Sequence, residues 1–431
     1  MASMARAPWR LAPLTRISER QALLKTVPMR SCNTLFVPPP QLPFTGFEVL
    51  FLGTGAGSPS VRRNPTGVCL RLARSNWMFD CAEGSLRQLI KSVVRVPLTT
   101  KFFVSHLHGD HVYGLPGILC TLDNHNAEYK DPQTKEKAPR PIDVYGPLGL
   151  FSYLNTAFST SSTWLANLKI TVHELVSPEM LNKTSKHEKF MRNAPKHPSL
   201  KRKWVHVESD GNGDVWNVLD DGKVIVKAAT LKHTVTSFGY GSFFKVAYFF
   251  SQLAFWDSYV VEEYPVPGKL DLNALRKRGL PPGPKYGTLK LGGSVELPSG
   301  EIIHASEVTG PKARGRKVAI LGDSADSSRM FDIAQNCDVL VHEATLSHDM
   351  VKQAVHRGHS TARMAGYAAK KMNATLLALT HFSHRFRHWS ADAKSRSTLH
   401  LALEAQGSFG RRAVVPASDF LRIPIPRLPH E

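Results

Sequence analysis

Phe102-Phe103-Val104-Ser105-His106-Leu107-His108-Gly109-Asp110-His111 joins an apolar strand to three imidazoles and one carboxylate. On extended backbone, residues i and i+2 point the same way, so His106 and His108 can grip one cation together. Gly109 lets the chain turn, which offers Asp110 and His111 to a neighbouring ion. Imidazole nitrogens with carboxylate oxygens suit zinc first, then manganese, iron or cobalt. The chain holds 19 histidines, so a chance cluster is the competing explanation. Four ligand-type residues in this order, directly after a buried strand, favour a metal site.

Three residues elsewhere stand in the same kind of position. An apolar strand over 224–231 leads to His233, one over 318–321 to Asp323, and one over 376–380 to His381. Taken singly, each reads as a capping residue. Taken together they complete a dinuclear set, with His106, His108 and His233 on one ion, Asp110, His111 and His381 on the other, and Asp323 bridging. Strands are expected over 47–52, 68–72, 77–81, 102–105, 142–145, near 170, over 242–250, 339–342 and 414–420. Helical periodicity runs through Leu86, Leu89, Ile90 and Val93, and again through Ala362, Ala365, Ala368 and Met372 after Ser360 and Thr361. The fold class is therefore α/β, with chemistry at the C-terminal ends of strands.

Composition narrows the function. The 431 residues are 42% hydrophobic and 21% charged, an ordinary globular balance with no apolar run of membrane-spanning length, so no membrane partner is expected. Lys and Arg number 55 against 35 Asp and Glu, a formal charge of +20, which favours a polyanionic partner, nucleic acid before anionic membrane. Cys32, Cys69, Cys81, Cys120 and Cys337 are odd in number and lack C-x-x-C spacing. That argues for a reducing compartment and against a cysteine zinc site.

Residues 1–45 carry Arg6, Arg10, Arg16, Arg20, Lys25 and Arg30 against Glu19 alone, and Pro38-Pro39-Pro40 then breaks any helix. This reads as an organellar transit peptide, mitochondrial before plastid because Arg outweighs Ser and Thr; nuclear or cytosolic placement is a weaker alternative. The folded domain is expected over 46–426, with 427–431 a tail. Gly53-Thr-Gly-Ala-Gly57 is a weak phosphate signal, because Pro59 and Arg62-Arg63-Asn64 follow it rather than a helix. Between Lys183 and Lys203 there are eight Lys or Arg and one acid, which reads as part of an exposed insertion over 183–222, a solvated loop or an RNA-touching arm. The segment from Val266-Pro-Gly-Lys269 to Pro281-Pro-Gly-Pro284, then Tyr286, offers one short helix over 270–279. It reads as a protruding, mobile, basic arm with too little apolar material for a core of its own.

The motifs His342-Glu-Ala-Thr345, Gly358-His-Ser-Thr361, His381-Phe-Ser-His-Arg385, Ala417-Ser-Asp-Phe420 and Pro281-Pro-Gly-Pro284, added to the His-x-His-x-Asp-His loop, make the chain resemble short-form ribonuclease Z of the metallo-β-lactamase superfamily over about 46–426. The resemblance implies an αβ/βα sandwich with a two-zinc site at one edge, a 262–290 exosite arm that grips tRNA, and a homodimer. It also implies an endoribonuclease that cuts precursor tRNA 3′ to the discriminator nucleotide and leaves a 3′-hydroxyl. Asp110 would act as base on the attacking water, and His359, steered by Glu343, would protonate the leaving oxygen. Two departures stand out. Val61 occupies a position usually held by Lys in a loop associated with rejecting a mature CCA end, and Phe386 replaces a usual Tyr. The rival expectations are a small-molecule hydrolase of the same fold, such as a thioesterase, sulfatase or cyclic phosphodiesterase, and a catalytically silent RNA-binding subunit.

Overall fold

The computed structural model describes residues 43–182, 195–207, 215–231, 256–387 and 396–427. The expected transit peptide, His233, the expected strand over 242–250 and much of the 183–222 insertion lie outside the described residues.

Two sheets stack face to face. The first contains β1 (Phe47–Gly53), β2 (Gly67–Leu72), β3 (Asn76–Phe79), β4 (Thr99–Phe103), β5 (Arg140–Pro147), β6 (Leu168–Val176), β7 (Leu200–His206) and the last strand of the chain, β17 (Arg422–Pro424). Its order is β17-β1-β2-β3-β4-β5-β6-β7, antiparallel as far as β3 and parallel from β3 onward. The second contains β8 (Val215–Asp220), β9 (Val224–Leu231), β10 (Trp256–Glu263), β13 (Lys317–Ile320), β14 (Val339–Glu343), β15 (Leu376–Thr380) and β16 (Val414–Pro416), with β13 to β16 parallel. Parallel pairing aims the C-terminal ends of β4, β13, β14 and β15 at a common edge of the sandwich.

The chain buries both faces of each sheet. Between the sheets, Phe103 stacks on Phe79 at 4.7 Å and on Tyr145 at 5.0 Å, with Tyr259 of the opposite sheet edge-on at 5.2 Å. The Tyr259 hydroxyl donates to Val104 O at 2.9 Å, which ties the sheets together just below the histidine loop. Outside the first sheet lie α1 (Ser85–Lys91), α2 (Leu115–His125) and α3 (Leu150–Thr160). Outside the second lie α6 (Ala362–Lys371) and α7 (Thr398–Phe409). The Ala362, Ala365 and Ala368 stripe of α6 is fully buried, and Thr361 caps its start by accepting from Met364 N. These four layers form the metallo-β-lactamase αβ/βα sandwich.

Two expectations are corrected. Residues 200–206, read as part of a loop or arm, form edge strand β7, because Leu200 packs into the helix-side core and Val205 against the core between the sheets. The arm is also larger than 262–290. Glu262 belongs to β10, and the insertion runs from the Val266–Ala313 bridge through α4 (Leu272–Lys277), α5 (Lys285–Lys290) and the hairpin β11 (Ser294–Glu296) and β12 (Ile302–His304). Far from lacking a core, it buries Leu275, Leu280, Leu289, Val295, Leu297, Ile303 and Val308 against one another. The apolar half contributed by the hairpin lies beyond residue 290, outside the stretch the sequence reading considered. Asp271 caps α4 by accepting from Asn273 N and Ala274 N. At the neck, Gly315 passes so near Glu263 that a Cβ would lie 1.5 Å from Glu263 O. Arg316 there is buried, paired with Glu263 at 2.6 and 2.8 Å, and donates to Thr45 O and Ile425 O of the first sheet's end.

Candidate metal centre

Two of the strands that reach this edge end in a sharp change of direction. Asp80 follows β3 with φ 56°, and His381 follows β15 with φ 55°. Left-handed backbone is unfavourable for residues other than Gly, so the surrounding contacts must impose it. After β4, Ser105 and His106 are buried while Leu107 and His108 are exposed, and a single helical turn, Gly109–Val112, carries Asp110 and buried His111.

Ligand-type atoms of His106, His111 and Asp323 lie within 4.8 Å of one another, as do those of Asp110, His111 and His381, and those of Asp323, His359 and His381. His108 flanks these groups with its ring 4.8 Å from that of His106. The structure thus brings together all the sequence-derived site residues within its described part, and His233 falls outside it.

A cation matches this arrangement. His111 Nε2 and His381 Nε2 are buried without a hydrogen-bond partner among the described residues. Each faces two carboxylates, Asp110 Oδ2 at 3.6 and 3.5 Å and Asp323 Oδ2 at 3.4 and 3.3 Å respectively. Two ligand atoms at ~2.1 Å on a tetrahedral zinc lie about 3.4 Å apart, so these separations are those of ligands sharing an ion.

Other residues aim the ligands. Asp80, buried, accepts from Ser105 N at 2.7 Å, from Ser105 Oγ at 2.8 Å and from His111 Nδ1 at 2.7 Å. That last bond puts the His111 proton on Nδ1 and leaves the Nε2 lone pair for a metal. Thr345 Oγ1 lies 2.9 Å from His381 Nδ1 and donates to Glu343. Gly57 N donates to Asp110 Oδ2 at 2.8 Å, so the glycine-rich loop serves the carboxylate rather than a phosphate. Asp419 holds that loop by accepting from Thr54 Oγ1 at 2.8 Å and Asn64 N at 2.7 Å. Sequence reading assigned no role to Asp80, Ser105 or Gly57. Asp80 shared the one available signal, a polar residue at the end of a buried strand.

Beside the cluster, His359 Nδ1 lies 3.3 Å from Glu343 Oε2 and 3.8 Å from Asp323 Oδ2. Burial works against its charge, yet the Glu343 and Asp323 carboxylates outweigh this and raise its pKa to about 9. Burial likewise opposes the charge on Asp110, and His111 and His381 overcome it and hold the carboxyl at about 2. Glu343 is itself fixed by Ser324 N, which donates to Oε1 at 2.6 Å. Four carboxylates, from Asp80, Asp110, Asp323 and Glu343, thus concentrate negative potential where a dication would sit.

The fold and this His/Asp edge define a metal-dependent hydrolase of the metallo-β-lactamase fold. No family model matches the chain, but individual relatives do. It is 34% identical over 384 residues to human zinc phosphodiesterase ELAC protein 1, covering 88% of this chain and 98% of that one. It is 32% identical over 383 residues to Bacillus subtilis ribonuclease Z, covering 88% and 99%. The crystal structure of the short form of human tRNase Z superposes with a TM-score of 0.55 at 28% identity, over 88% of this chain and 99% of that one. The chain belongs to the ribonuclease Z family.

Proposed function

We propose that this protein is a zinc-dependent endoribonuclease that removes the 3′ trailer from precursor tRNA by cutting 3′ to the discriminator nucleotide. The observation that carries the reading is the Glu343–His359 pair, 3.3 Å apart and set against the His/Asp cluster, in a chain that shares nearly the whole length of its ribonuclease Z relatives.

His106, His108, Asp110, His111, Asp323 and His381 would hold two zinc ions, with His233 as a further ligand, and manganese or cobalt as substitutes. When bound, such ions supply Lewis-acid charge that acidifies water and stabilises the phosphorane oxygens. The chain's own residues do the rest. Asp110, fixed by Gly57 N, orients the attacking water and takes its proton. The water oxygen bonds to phosphorus as the bond to the discriminator 3′ oxygen breaks. Glu343 engages His359 Nδ1, so Nε2 is the nitrogen left to protonate that oxygen. The products are a tRNA with a 3′-hydroxyl and a trailer with a 5′-phosphate.

The arm leaves the second sheet between the C-terminal end of β10 and the N-terminal end of β13. The ligands leave from the C-terminal ends of β13 and β15, at the opposite edge. An arm that departs from the far edge suits work on tRNA held by a second subunit, which supports a homodimer. The basic residues among 1–45 support mitochondrial delivery. Among the described residues, no helix is long and apolar enough to cross a membrane.

Purified protein incubated with a precursor tRNA and zinc is the test. A single cut after the discriminator with a 3′-hydroxyl product is expected. No cleavage with zinc, manganese or cobalt refutes the reading. Sedimentation addresses the dimer, and a fluorescent fusion of residues 1–45 addresses delivery.

A further inference from the structure

Beneath the metal edge, where β3 and β15 end, the two sheets leave a cavity of about 20 Å³ between them. Phe79, Phe103, Ile320 and Val341 give it apolar walls, while Thr66, Asp80, Ser105 and Thr380 bring polar side chains to it. The hydroxyls of Thr66 and Thr380 are buried and have no hydrogen-bond partner among the described residues. A buried hydroxyl in that condition destabilises the folded state unless something bonds to it. Ser105 is already engaged, since its Oγ donates to Asp80 Oδ2 at 2.8 Å. Asp80 accepts three hydrogen bonds in all, and a carboxylate has about four lone-pair sites, so it can take one more.

Size and lining together decide the occupant. A cavity needs roughly 10–15 Å³ of this kind of space and two to four polar partners to hold a water, whereas a wholly apolar one stays dry. This cavity has room for one water and offers it two hydroxyls and a carboxylate. We infer that it holds a single ordered water, which accepts from Thr66 Oγ1 and Thr380 Oγ1 and donates to Asp80.

That water sits between the supports of two site histidines. Asp80 follows β3 of the first sheet and accepts from His111 Nδ1 at 2.7 Å. Thr380 is the last residue of β15 in the second sheet, and His381 follows it directly. The water therefore ties the group that orients His111 to the residue that delivers His381, across the gap between the sheets. Thr66 and Thr380 act on those histidines only through it and are positioning residues. The water site stands whatever reaction the edge performs; the positioning role rests on the metal centre proposed above.

The test removes one hydroxyl at a time from the full chain in excess zinc, with Thr66→Val, Thr380→Val and the double variant. Valine keeps the branched shape, so the measured change reports on the hydroxyl. With water in the site, each single variant should raise the unfolding equilibrium constant about five- to thirtyfold, because the water loses a partner. In a dry cavity the same change relieves an unbonded hydroxyl, and a constant that falls or stays level would overturn the proposal. Because both hydroxyls act through one water, the double variant should fall short of the product of the single effects by about twofold or more. A double effect equal to that product would overturn the shared site, as would a high-resolution crystal structure with no density between Thr66, Thr380 and Asp80. For the positioning role, Thr380→Val should weaken zinc binding about two- to tenfold in competition with a chelator, less than loss of a group that touches a ligand directly. Unchanged zinc affinity would overturn that role. A wild-type protein that takes up no zinc would refute the metal centre and the positioning role with it, while the stability measurements would still decide the water.

Discussion

Asp80→Asn isolates the part of the site that holds no substrate and no metal. Asp80 accepts three hydrogen bonds, two from Ser105 and one from His111 Nδ1. Asn tolerates the left-handed backbone at this position about as well as Asp, so the change removes charge and one acceptor oxygen with little added strain. With the amide oxygen kept by Ser105 N, the new NH2 faces the His111 N–H, donor against donor. Either that bond to a charged group is lost, at about 1.5–3 kcal/mol, or His111 moves its proton to Nε2. Nε2 is the atom aimed at Asp110 and Asp323, so the second outcome blocks the ligand lone pair. Both routes weaken the centre, and loss of such an outer partner lowers metal affinity by about 10- to 100-fold, or ~1.4–2.8 kcal/mol. The two ranges agree. Zinc competition against a chromogenic chelator measures the affinity, and cleavage of precursor tRNA at limiting and excess zinc measures the consequence. Activity should fall at limiting zinc and recover in part at excess. Zinc affinity and kcat/KM both within twofold of wild type would refute the claim that Asp80 sets the His111 tautomer.

His359→Ala should lower kcat by about 10²- to 10⁴-fold while zinc content stays unchanged, whereas His381→Ala should lose zinc as well; metal analysis beside single-turnover kinetics separates the two. Stripping metal with a chelator should abolish cleavage and lower the melting temperature, because ligand binding to the folded state stabilises it and the clustered carboxylates are left facing one another; an unchanged melting curve would argue against a buried centre. Replacing the arm between Val266 and Ala313 with a short linker should leave a folded protein with a raised KM for tRNA, while removing only 266–290 should also lower the melting temperature, since it strips Leu275, Leu280 and Leu289 from the arm's core. Gly366→Ala would set a Cβ 2.2 Å from Ala405 O and 2.1 Å from Ser408 Oγ, forcing α6 and α7 apart at a cost of about 1–3 kcal/mol, read as a lower denaturant midpoint.

The sequence by itself determined which residues make up the candidate site. His106, His108, Asp110 and His111 are neighbours along the chain, and a ligand loop of that kind is legible because its spacing alone places the side chains together. His381 and Asp323 were legible for a related reason, since each ends a buried strand, and parallel strands in one sheet bring their ends to one edge. The tertiary structure decided what depends on residues far apart in sequence. Asp80 and His111 are 31 positions apart, Gly57 and Asp110 are 53 apart, and Thr54 and Asp419 are 365 apart; no periodicity encodes such pairs, because they exist only once two sheets are stacked. The same holds for the arm, whose core joins a helical half to a hairpin half, neither of which buries its apolar face alone. Edge strand β7 was hidden by its own composition. Its lysines signal solvent, and only pairing with β6 shows that they belong to an edge strand rather than a loop.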